Sequence, residues 1–321
     1  MLKRNLLTNK YTSITLIVVL LCFLLCSCKA PLEKTRVFET VTFTDALNRK
    51  VSVVKKPQRV AALIGSFAEV WQLAGGEVCA TSDDAFEDLG LSSDNCVNIG
   101  GAHSPNAEML LSATPDFVIA SASTSSNVKI METLKNAGIT VAYFDVDCFD
   151  DYLKMLKICT DITGRYDLYE KNGIKIKDEI ESIKTTFNHH NIPVEKRRVL
   201  MLRASSGFVK AKGSEGTILG EMLNDLGCIN VADTNESMPD FLSVEAVISE
   251  NPYRIFVVTM GDDEKAIESL EKMFEENPAW RTLEAIKENR LHIMESELFN
   301  NKPNSDWAES YEKLTEILLK K

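Results

Sequence analysis

The chain has 321 residues, of which 45% are hydrophobic and 26% charged, and its formal net charge is −11. These proportions are ordinary for a globular protein, and the length suffices for two modest domains or one large domain. The strong acidic excess argues against a nucleic-acid-binding protein, which needs a basic surface.

The N-terminus has the features of a secretion signal. Three basic side chains among the first ten residues precede the apolar run 14–25, which is shorter than the roughly 20 residues of a membrane-spanning helix. The run ends in Leu-Cys-Ser-Cys, which predicts a bacterial lipoprotein signal at 1–27 and lipidation of Cys28. Cys26 is the poorer candidate because a bulky leucine directly precedes it. An uncleaved membrane anchor is the alternative, and in either case the bulk of the chain lies outside the cytoplasm.

Removal of the signal makes the chain more acidic and leaves five further cysteines. Residues 1–27 carry three basic and no acidic side chains, so their loss changes the formal net charge from −11 to −14. The cysteines beyond Cys28 are Cys79, Cys96, Cys148, Cys159 and Cys228. No CxxC pair occurs, so the spacing of a metal cluster is absent. A Cys79–Cys96 disulfide, a Cys148–Cys159 disulfide and buried free thiols are all open alternatives outside the cell.

Short apolar runs alternate with helical stretches after a predicted tether at 28–38. Val41–Phe43 and Val51–Val54 predict a hairpin, and the strands predicted beyond it cover 59–63, 116–120 and 139–144. Helical stretches separate these strands, which is typical of a parallel α/β sheet. We therefore expect a first lobe over residues 39–166.

A long amphipathic helix is predicted to follow at 167–191. Ile176, Ile180, Ile183 and Phe187 form one apolar stripe among lysines and glutamates. The alternation then restarts, with predicted strands at 198–202, 254–259 and 290–294 and predicted helices at 217–226, 266–274 and 306–319. The expected fold class is therefore α/β, with two similar lobes, the second at 192–321, and one connecting helix.

Four stretches of the sequence resemble a known family of transport proteins. They are DALNRKVSVVKKPQRVAAL, PNAEMLLSATPDFVIAS, LKNAGITVAYFD with the later ITGR, and NPAWRTLEAIKENRLHIMESELFNNKPNSDWAESYEKL. Together they resemble the substrate-binding proteins that serve ABC importers of iron-siderophore complexes, heme and cobalamin, from about Val41 to the C-terminus. The resemblance implies two Rossmann-like lobes with mostly parallel sheets, joined by one long rigid helix, with the ligand in the cleft between them.

The resemblance also implies partners and a location. An ABC permease and its ATPase would receive the cargo, and the receptor would be a monomer that meets the membrane only through its lipid anchor and binds no nucleic acid. With the lipoprotein signal, this predicts the outer face of the cytoplasmic membrane of a Gram-positive cell. In family members, glutamates that match Glu108 and Glu245 dock onto arginines of the permease. Carboxylates that merely complement a helix dipole are the alternative interpretation.

A heme ligand pair follows from the same resemblance. An imidazole in a loop beside a cleft can offer a nitrogen to a metal, and His103 stands in the turn Gly-Gly-Ala-His-Ser-Pro. In heme-binding members the corresponding loop supplies an axial ligand, commonly Met or Tyr, and Gram-positive heme receptors carry His-Gly where this chain has Met260-Gly261. The resemblance thus implies His103 and Met260 as axial ligands, with the two residue types exchanged between the lobes. A His/Met pair favours ferrous iron, and a core position is the alternative for Met260.

The remaining cleft candidates lie at predicted strand ends, where open α/β sheets bind ligands. They are Ser66, Phe67, Ser121, Ser123, Arg203, Ser205, Ser206, Phe208 and Phe299. The mixture of apolar and hydroxyl groups suits a tetrapyrrole with polar propionate edges. Arg203 is the best candidate for an anionic group, and Lys210 and Lys212 are weaker ones. Because this cleft offers few basic side chains in the sequence, an anionic siderophore is less favoured.

The sequence therefore predicts an extracytoplasmic substrate-binding lipoprotein that captures an iron-containing metal chelate, with heme favoured, and delivers it to an ABC permease. Iron-siderophore complexes and cobalamin are the alternative cargoes. An enzyme is not expected, since the motifs GxSxG, HExxH and the Walker loop are absent from the sequence. A heme-relay module without a transporter is the remaining alternative.

Overall fold

A computed structural model describes residues 38–87, 91–92, 95–234 and 243–320. The predicted signal segment, the lipidation site Cys28 and the tether up to residue 37 lie outside the described residues. Residues from Glu39 onward form one compact unit that contains both lobes. None of the described helices has the length and apolar content that crossing a membrane requires.

The first lobe is a five-stranded parallel sheet preceded by an antiparallel hairpin. The hairpin pairs β1 (Thr40–Thr44) with β2 (Lys50–Val54). The sheet strands are β3 (Val60–Ala62), β4 (Val78–Thr81), β5 (Val97–Asn98), β6 (Phe117–Ser121) and β7 (Thr140–Phe144), in the order β5-β4-β3-β6-β7. The helices between them are α1 (Gly65–Leu73), α2 (Asp84–Glu87), α3 (Ala107–Ser112), α4 (Ser125–Lys129) and α5 (Met131–Asn136). Every residue of β6 is buried, as expected for a strand that helices cover on both faces.

A helical connection leads out of the first lobe. It consists of α6 (Phe149–Thr163), α7 (Tyr166–Tyr169), a π-helical turn (Glu170–Ile174) and α8 (Lys175–Asn188). Asn172, in the π-helical turn, donates its Nδ2 hydrogen to the Leu73 carbonyl at 2.7 Å and accepts at its own carbonyl from the Tyr152 hydroxyl at 2.8 Å. These bonds fasten the π-helical turn to α1 of the first lobe and to α6, so α8 begins from a point that is fixed to the first lobe.

The second lobe repeats the parallel plan with one antiparallel edge strand. Its strands are β8 (Arg198–Ser205), β9 (Phe208–Ala211), β10 (Ile229–Asn230), β11 (Arg254–Thr259) and β12 (Leu291–Met294). Their order is β10-β8-β11-β12, and β9 pairs antiparallel with β8. The helices are α9 (Ile218–Asp225), α10 (Val231–Thr234), α11 (Val244–Glu250), α12 (Asp263–Glu276), α13 (Glu284–Lys287), α14 (Ser296–Phe299) and α15 (Trp307–Leu319). The α/β class with two lobes and mostly parallel sheets, expected from the sequence, is thereby confirmed.

The C-terminal segment returns to the first lobe and ties the lobes together. Asn304 is fully buried in a left-handed conformation, and its Nδ2 donates to the Ser66 carbonyl at 2.9 Å and to Glu69 Oε2 at 2.6 Å. The ring of Trp307 packs edge-on against Phe149, with centroids 5.9 Å apart. The last helix therefore belongs to both lobes by its contacts.

The structure excludes one of the disulfide alternatives. All five described cysteines are free thiols. Cys148 directly precedes α6 and Cys159 lies near its other end, about 16 Å further along the axis at the usual helical rise, so these two cannot form a disulfide. Burial raises the pKa of Cys96 and of Cys148 to about 11, which keeps both sulfurs protonated and poorly reactive.

We expect Glu69→Gln to stabilise the protein at neutral pH. Burial raises the pKa of Glu69, the Asn304 hydrogen bond opposes this rise, and the charge of Asp306 adds to it. The folded state then binds more protons than the unfolded state, so stability falls as pH rises from the ordinary glutamate pKa to the raised one. The glutamine side chain keeps an oxygen that accepts from Asn304 and carries no charge.

The measurement is urea unfolding at pH 5 and pH 8, with Glu132→Gln as the control because Glu132 is 73% exposed. The free energy of unfolding of the E69Q variant should exceed that of the wild type by more at pH 8 than at pH 5. An equal difference at both pH values would show that the carboxyl is not responsible.

Candidate ligand-binding cleft

The His103 loop lies at the carboxyl end of β5 and is held by backbone and side-chain bonds on both sides. Asn106 caps α3 by accepting from the amides of Glu108 and Met109 at 3.0 and 3.1 Å, and its own amide donates to the Ile99 carbonyl at 2.7 Å. Buried Asn127 donates through Nδ2 to the Ala102 carbonyl at 3.1 Å. The loop ends are thus fixed, and the side chain of His103 between them is exposed.

Met260 occupies the corresponding edge of the second lobe, directly after β11. Its amide donates to the Ala204 carbonyl at 2.9 Å, which continues the pairing with β8, and Gly261 then turns the chain at a φ of 81°. The side chain is 40% exposed, although all six residues of β11 before it are buried. Met260 is therefore not a core side chain, and its thioether is available to a ligand at this edge.

The predicted hydroxyl groups of the first lobe form a bonded cluster. The Oγ atoms of Ser121 and Ser123 lie 3.1 Å apart, and Thr124 Oγ1 donates to Ser121 Oγ at 3.1 Å. Ser121 is buried and Ser123 is exposed, so the cluster reaches from the sheet to the surface of the loop. Ser66 is partly exposed, and its carbonyl accepts from Asn304.

Two predicted cleft residues differ from the expectation. Phe67 is 1% exposed and packs edge-on against Phe144, with centroids 6.4 Å apart. Phe299 is 2% exposed and belongs to the same hydrophobic core. Both follow strands, but the helices that begin there turn the phenyl rings inward, so neither ring offers surface to a ligand.

The hairpin of β8 and β9 carries three more of the predicted residues. Ser205 is buried, whereas Ser206 and Phe208 line a groove of about 460 Å³ between this hairpin and α12. The ammonium group of Lys210 lies 5.2 Å from the centre of the Phe208 ring. The hairpin therefore presents an aromatic ring and a cation together at the carboxyl end of β8.

Four cations gather at the junction of the lobes, and we call Arg203, Lys210, Lys212 and Lys302 the cationic cluster. Arg203 on β8 pairs in register with Lys210 on β9. Burial lowers the pKa of Lys212, and the charges of Arg203 and Lys210 lower it further. Burial also lowers the pKa of Arg203 and of Lys302, and the Arg203 charge lies close enough to Lys302 to contribute. Arg203, Lys210 and Lys212 are candidates from the sequence alone, and the structure adds Lys302 beside Arg203.

The cationic cluster lacks close counter-ions among the described residues. Their ion pairs include none of its four members. Arg203 Nε is buried without a hydrogen-bond partner. Asp147 and Asp145, after β7, favour the charged form of Lys302, and each contributes more to its pKa than the opposing charge of Arg203. An uncompensated buried cation is costly, so an anionic group of a ligand would be stabilised here.

Carboxylates at the junction of the lobes are also disfavoured in their charged form by burial. Burial raises the pKa of Asp147, the neighbouring Asp145 raises it further, and Lys302 opposes the rise. The pKa of Glu221 on α9 is also raised, chiefly by burial and then by Asp147. Asp147 belongs to the first lobe and Glu221 to the second. The pKa values of these groups therefore depend on the distance between the lobes. Among the described residues, no group of three or more His, Cys, Asp or Glu side chains is arranged to hold a metal ion.

The two predicted docking glutamates are exposed near helix starts in separate lobes. Glu108 lies in the first turn of α3 and Glu245 in the first turn of α11. Ser243 donates its hydroxyl hydrogen to Glu245 Oε2 at 2.8 Å and accepts from the Ala246 amide at 3.3 Å. Hydrogen bonds from its own amide and from Ser243 lower the pKa of Glu245, so this carboxylate stays charged.

Comparison with known proteins gives a consistent picture. The profile of the periplasmic binding protein family matches residues 60–298. The chain is 26% identical over 271 residues to an uncharacterised ABC transporter substrate-binding lipoprotein, YvrC, of Bacillus subtilis, covering 83% of this chain and 81% of that protein. It is 22% identical over 223 residues to the high-affinity heme uptake system protein IsdE of Staphylococcus aureus, covering 69% and 74%.

A solved structure supports the fold. The periplasmic catecholate-siderophore binding protein VctP of Vibrio cholerae superposes with a TM-score of 0.67 at 18% identity, covering 87% of this chain and 99% of that one. At this identity the likeness concerns the fold alone. The relatives thus include proteins named for heme and for siderophores.

We expect Lys302→Met to stabilise the ligand-free protein by on the order of 1 kcal/mol, because burial disfavours the charge of Lys302 more than Asp147 and Asp145 favour it, and methionine is apolar and of similar length. The lowered pKa of Lys302 means that the unfolded state binds its proton more tightly than the folded state. Wild-type stability should therefore rise with pH between the lowered pKa and the ordinary lysine value, and the variant should lose this part of the rise. Urea unfolding between pH 7 and pH 10 measures both effects.

Lys287→Met serves as the control, because Lys287 is exposed on α13. A K302M variant that is less stable than the wild type, with an unchanged pH dependence, would contradict an uncompensated charge at this position.

Proposed function

The chain belongs to the periplasmic binding protein family, and we propose that it is the lipid-anchored receptor of an ABC importer whose cargo is heme. Substrate-binding proteins of this kind carry iron chelates to a permease, and relatives are named for both heme and siderophores. The choice of heme rests on the exposed imidazole of His103 in one lobe and the exposed thioether of Met260 in the other. Both groups are established axial ligands of heme iron.

The cationic cluster supports a cargo with carboxylate groups. Heme carries two propionates, and Arg203 and Lys302 offer them a guanidinium and an ammonium group without close counter-ions. A guanidinium matches a carboxylate with two parallel hydrogen bonds, which fixes orientation as well as affinity. In this proposal His103 and Met260 bind the iron, and the cationic cluster binds the propionates.

An anionic ferric siderophore is the second candidate, and the number of cations favours it. Four basic side chains exceed what two propionates require, and the exposed Lys210 beside the Phe208 ring adds an aromatic surface. Siderophore carboxylates or catecholates would meet the whole cluster rather than two of its members. Cobalamin, whose corrin rim carries neutral amides, would offer the cluster only the single negative charge of its phosphodiester.

The proposal includes the anchor and the docking surface. Cys28 would carry the lipid, at the outer face of the cytoplasmic membrane, and a monomeric receptor would present its cleft to the permease. Glu108 and Glu245 would meet basic residues of the permease, since carboxylates on two separate rigid points fix orientation and accelerate encounter.

Hemin titration of residues 29–321 tests the cargo. We expect a low-spin six-coordinate absorption spectrum at one heme per chain. His103→Ala should weaken heme affinity roughly tenfold or more, as loss of ligand-sphere groups does in metal sites. Met260→Ala should change the spin state and lower the reduction potential, because a thioether stabilises ferrous iron.

His190→Ala is the control, because His190 is exposed beyond the end of α8. Unchanged spectra in both the H103A and M260A variants would remove the axial pair. If the wild-type protein leaves the hemin spectrum unaltered, the other cargoes are tested next. Quenching of tryptophan fluorescence by ferric siderophores and by cobalamin then decides between them.

Transport assays test the docking surface. The double variant Glu108→Gln, Glu245→Gln should lower cargo uptake by cells several-fold, because steering and register at the permease are lost. Cargo affinity of the purified variant should stay unchanged, since neither carboxylate belongs to the cationic cluster or to the proposed axial pair. Glu132→Gln removes an exposed carboxylate of the same lobe as a control. If uptake by the double variant equals that of the wild type, the two glutamates do not dock onto the permease and only complement the dipoles of their helices.

A further inference from the structure

A second accumulation of cations lies at the opposite edge of the second-lobe sheet, where its strands begin. Arg198 opens β8, Arg254 opens β11, and Arg290 directly precedes β12. Parallel register brings these starts together: the Tyr253 amide donates to the Arg198 carbonyl at 2.8 Å, and the Ile255 amide donates to the Arg290 carbonyl at 3.0 Å. Three neighbouring strands therefore begin with an arginine at one edge, far along the strands from the cleft.

The ring of Tyr253 is the centre of this group. The Arg290 guanidinium carbon lies 3.9 Å from the ring centroid, that of Arg254 lies at 4.8 Å, and the Lys196 ammonium lies at 5.5 Å. A π face attracts a cation only weakly, which does not offset the mutual repulsion of three. We call Lys196, Tyr253, Arg254 and Arg290 the tyrosine cage.

Among the described residues, a single ion pair, that of Glu284 with Arg290 at 3.8 Å, offers negative charge to the three cations of the tyrosine cage. Arg198 next to it is neutralised by Glu250, with Nη2 to Oε2 at 2.6 Å. Arg254 instead donates its hydrogens to the carbonyls of Lys196 at 3.3 Å and Lys320 at 2.5 Å. These carbonyls satisfy the donors of Arg254 but leave its charge in place.

Arg290 is the least satisfied member. Its side chain is 13% exposed, and its Nε and Nη2 atoms are buried without a hydrogen-bond partner. The carboxylate that approaches it is that of Glu284, which lies 3.8 Å from Nη2 and is 63% exposed. Unmade hydrogen bonds on a charged buried group are costly, so this arrangement is stabilised when an acceptor with negative charge is bound.

His292 on β12 reports the same unbalanced field. Burial lowers the pKa of His292, and the charges of Arg254 and Lys320 lower it further. Its Nε2 atom is buried and has no hydrogen-bond partner. Burial is the chief reason that this imidazole stays neutral, and the nearby positive charges act in the same direction.

We propose that the tyrosine cage is a binding site for a phosphate group, with Arg290 and Lys196 as the residues that contact it. Guanidinium groups match the tetrahedral oxygens of phosphate with paired hydrogen bonds, and a flexible lysine supplies a further point charge. The site lies at the opposite ends of the strands from the cleft and does not depend on which cargo the cleft carries. The chain is acidic overall, so most of its surface repels anions. The local excess of positive charge at the tyrosine cage would therefore attract an anion to this place.

The phosphate group has two sources, a free phosphate ion or the headgroup of an anionic phospholipid, and the experiment separates them. Inorganic phosphate is titrated against the unit that begins at Glu39, at constant ionic strength, by calorimetry and by thermal unfolding. We expect saturable binding and a rise in Tm, since a ligand that binds only the folded state stabilises it. In a second arm, the same unit is sedimented with vesicles of phosphatidylglycerol and, separately, of phosphatidylcholine.

Arg290→Gln should weaken phosphate binding at least tenfold, and Lys196→Gln, on an exposed side chain, should weaken it by a smaller factor. Lys287→Gln is the matched control, because it removes one positive charge three residues away from Arg290 without touching the cage. Should the R290Q variant fail to fold, the K196Q variant and its control still give the comparison.

Binding to phosphatidylglycerol vesicles that Arg290→Gln abolishes would support the proposal with a lipid headgroup as the source. Binding of inorganic phosphate alone, lost in the same variant, would support it with the free ion. A phosphate effect no larger than that of added chloride, or an equal affinity in the R290Q and K287Q variants, would overturn it. Hemin binding by the R290Q variant should equal that of the wild type, so this result is separate from the cargo.

Discussion

A parallel strand order places the carboxyl ends of all strands of a lobe at one edge, and this constraint governs where side chains can act in this protein. His103, the Ser121 hydroxyl cluster and Asp147 follow three different strands of the first lobe. Arg203 and Met260 lie at the ends of two adjacent strands of the second. Residues far apart in the chain thus meet at two facing edges without any long loop to carry them.

The geometry between the two edges depends on a few polar contacts that cross the lobe boundary. Asn304 joins the returning C-terminal segment to α1, and the Tyr311 hydroxyl on α15 donates to Asp225 Oδ2 of α9 at 2.8 Å. Lys184 on α8 bonds the same carboxylate at 2.8 Å. Asp225 therefore gathers the connecting helix, the last helix and the second lobe at one point, while Asn172 and Asn304 hold the first lobe. Such cross-links favour small adjustments of the lobes over a wide closure.

Secondary structure was predictable because the apolar periodicity of this chain is strong. The strands at 116–120 and 254–259 lie within one residue of the observed β6 and β11, since continuous apolar runs between polar loops specify buried parallel strands. The π-helical turn inside the connecting helix was not predictable, because it depends on the bonds of Asn172 to distant carbonyl and hydroxyl groups. Phe67 was misplaced for a related reason: a strand end locates the backbone, whereas helix packing decides where the ring points.

The cationic cluster could not be predicted as a group, because tertiary contacts bring its members together. Lys302 stands in a polar turn, where a solvated lysine is the ordinary expectation, and only the return of the chain to the first lobe buries it beside Arg203. The register of β8 with β9, which adds Lys210, is likewise a tertiary fact. At the opposite edge a sequence signal was available: arginines stand at the start of β8, at the start of β11 and just before β12, and the parallel order β8-β11-β12 brings them together.

Both edges of the second-lobe sheet therefore hold more cations than the close carboxylates of the described residues balance, and both arrangements have the same physical explanation. A fold selected for stability alone would exchange Arg203 and Arg290 for apolar side chains, since unpaired buried charges are among the costliest features of a protein interior. Partly solvated salt bridges elsewhere in the chain, such as Arg198 with Glu250, show that counter-ions are present where charge is merely structural. Local violations of this kind are expected where a ligand supplies the missing charge. At the carboxyl edge we propose the cargo as that ligand, and at the amino edge we propose a second anion that is independent of transport.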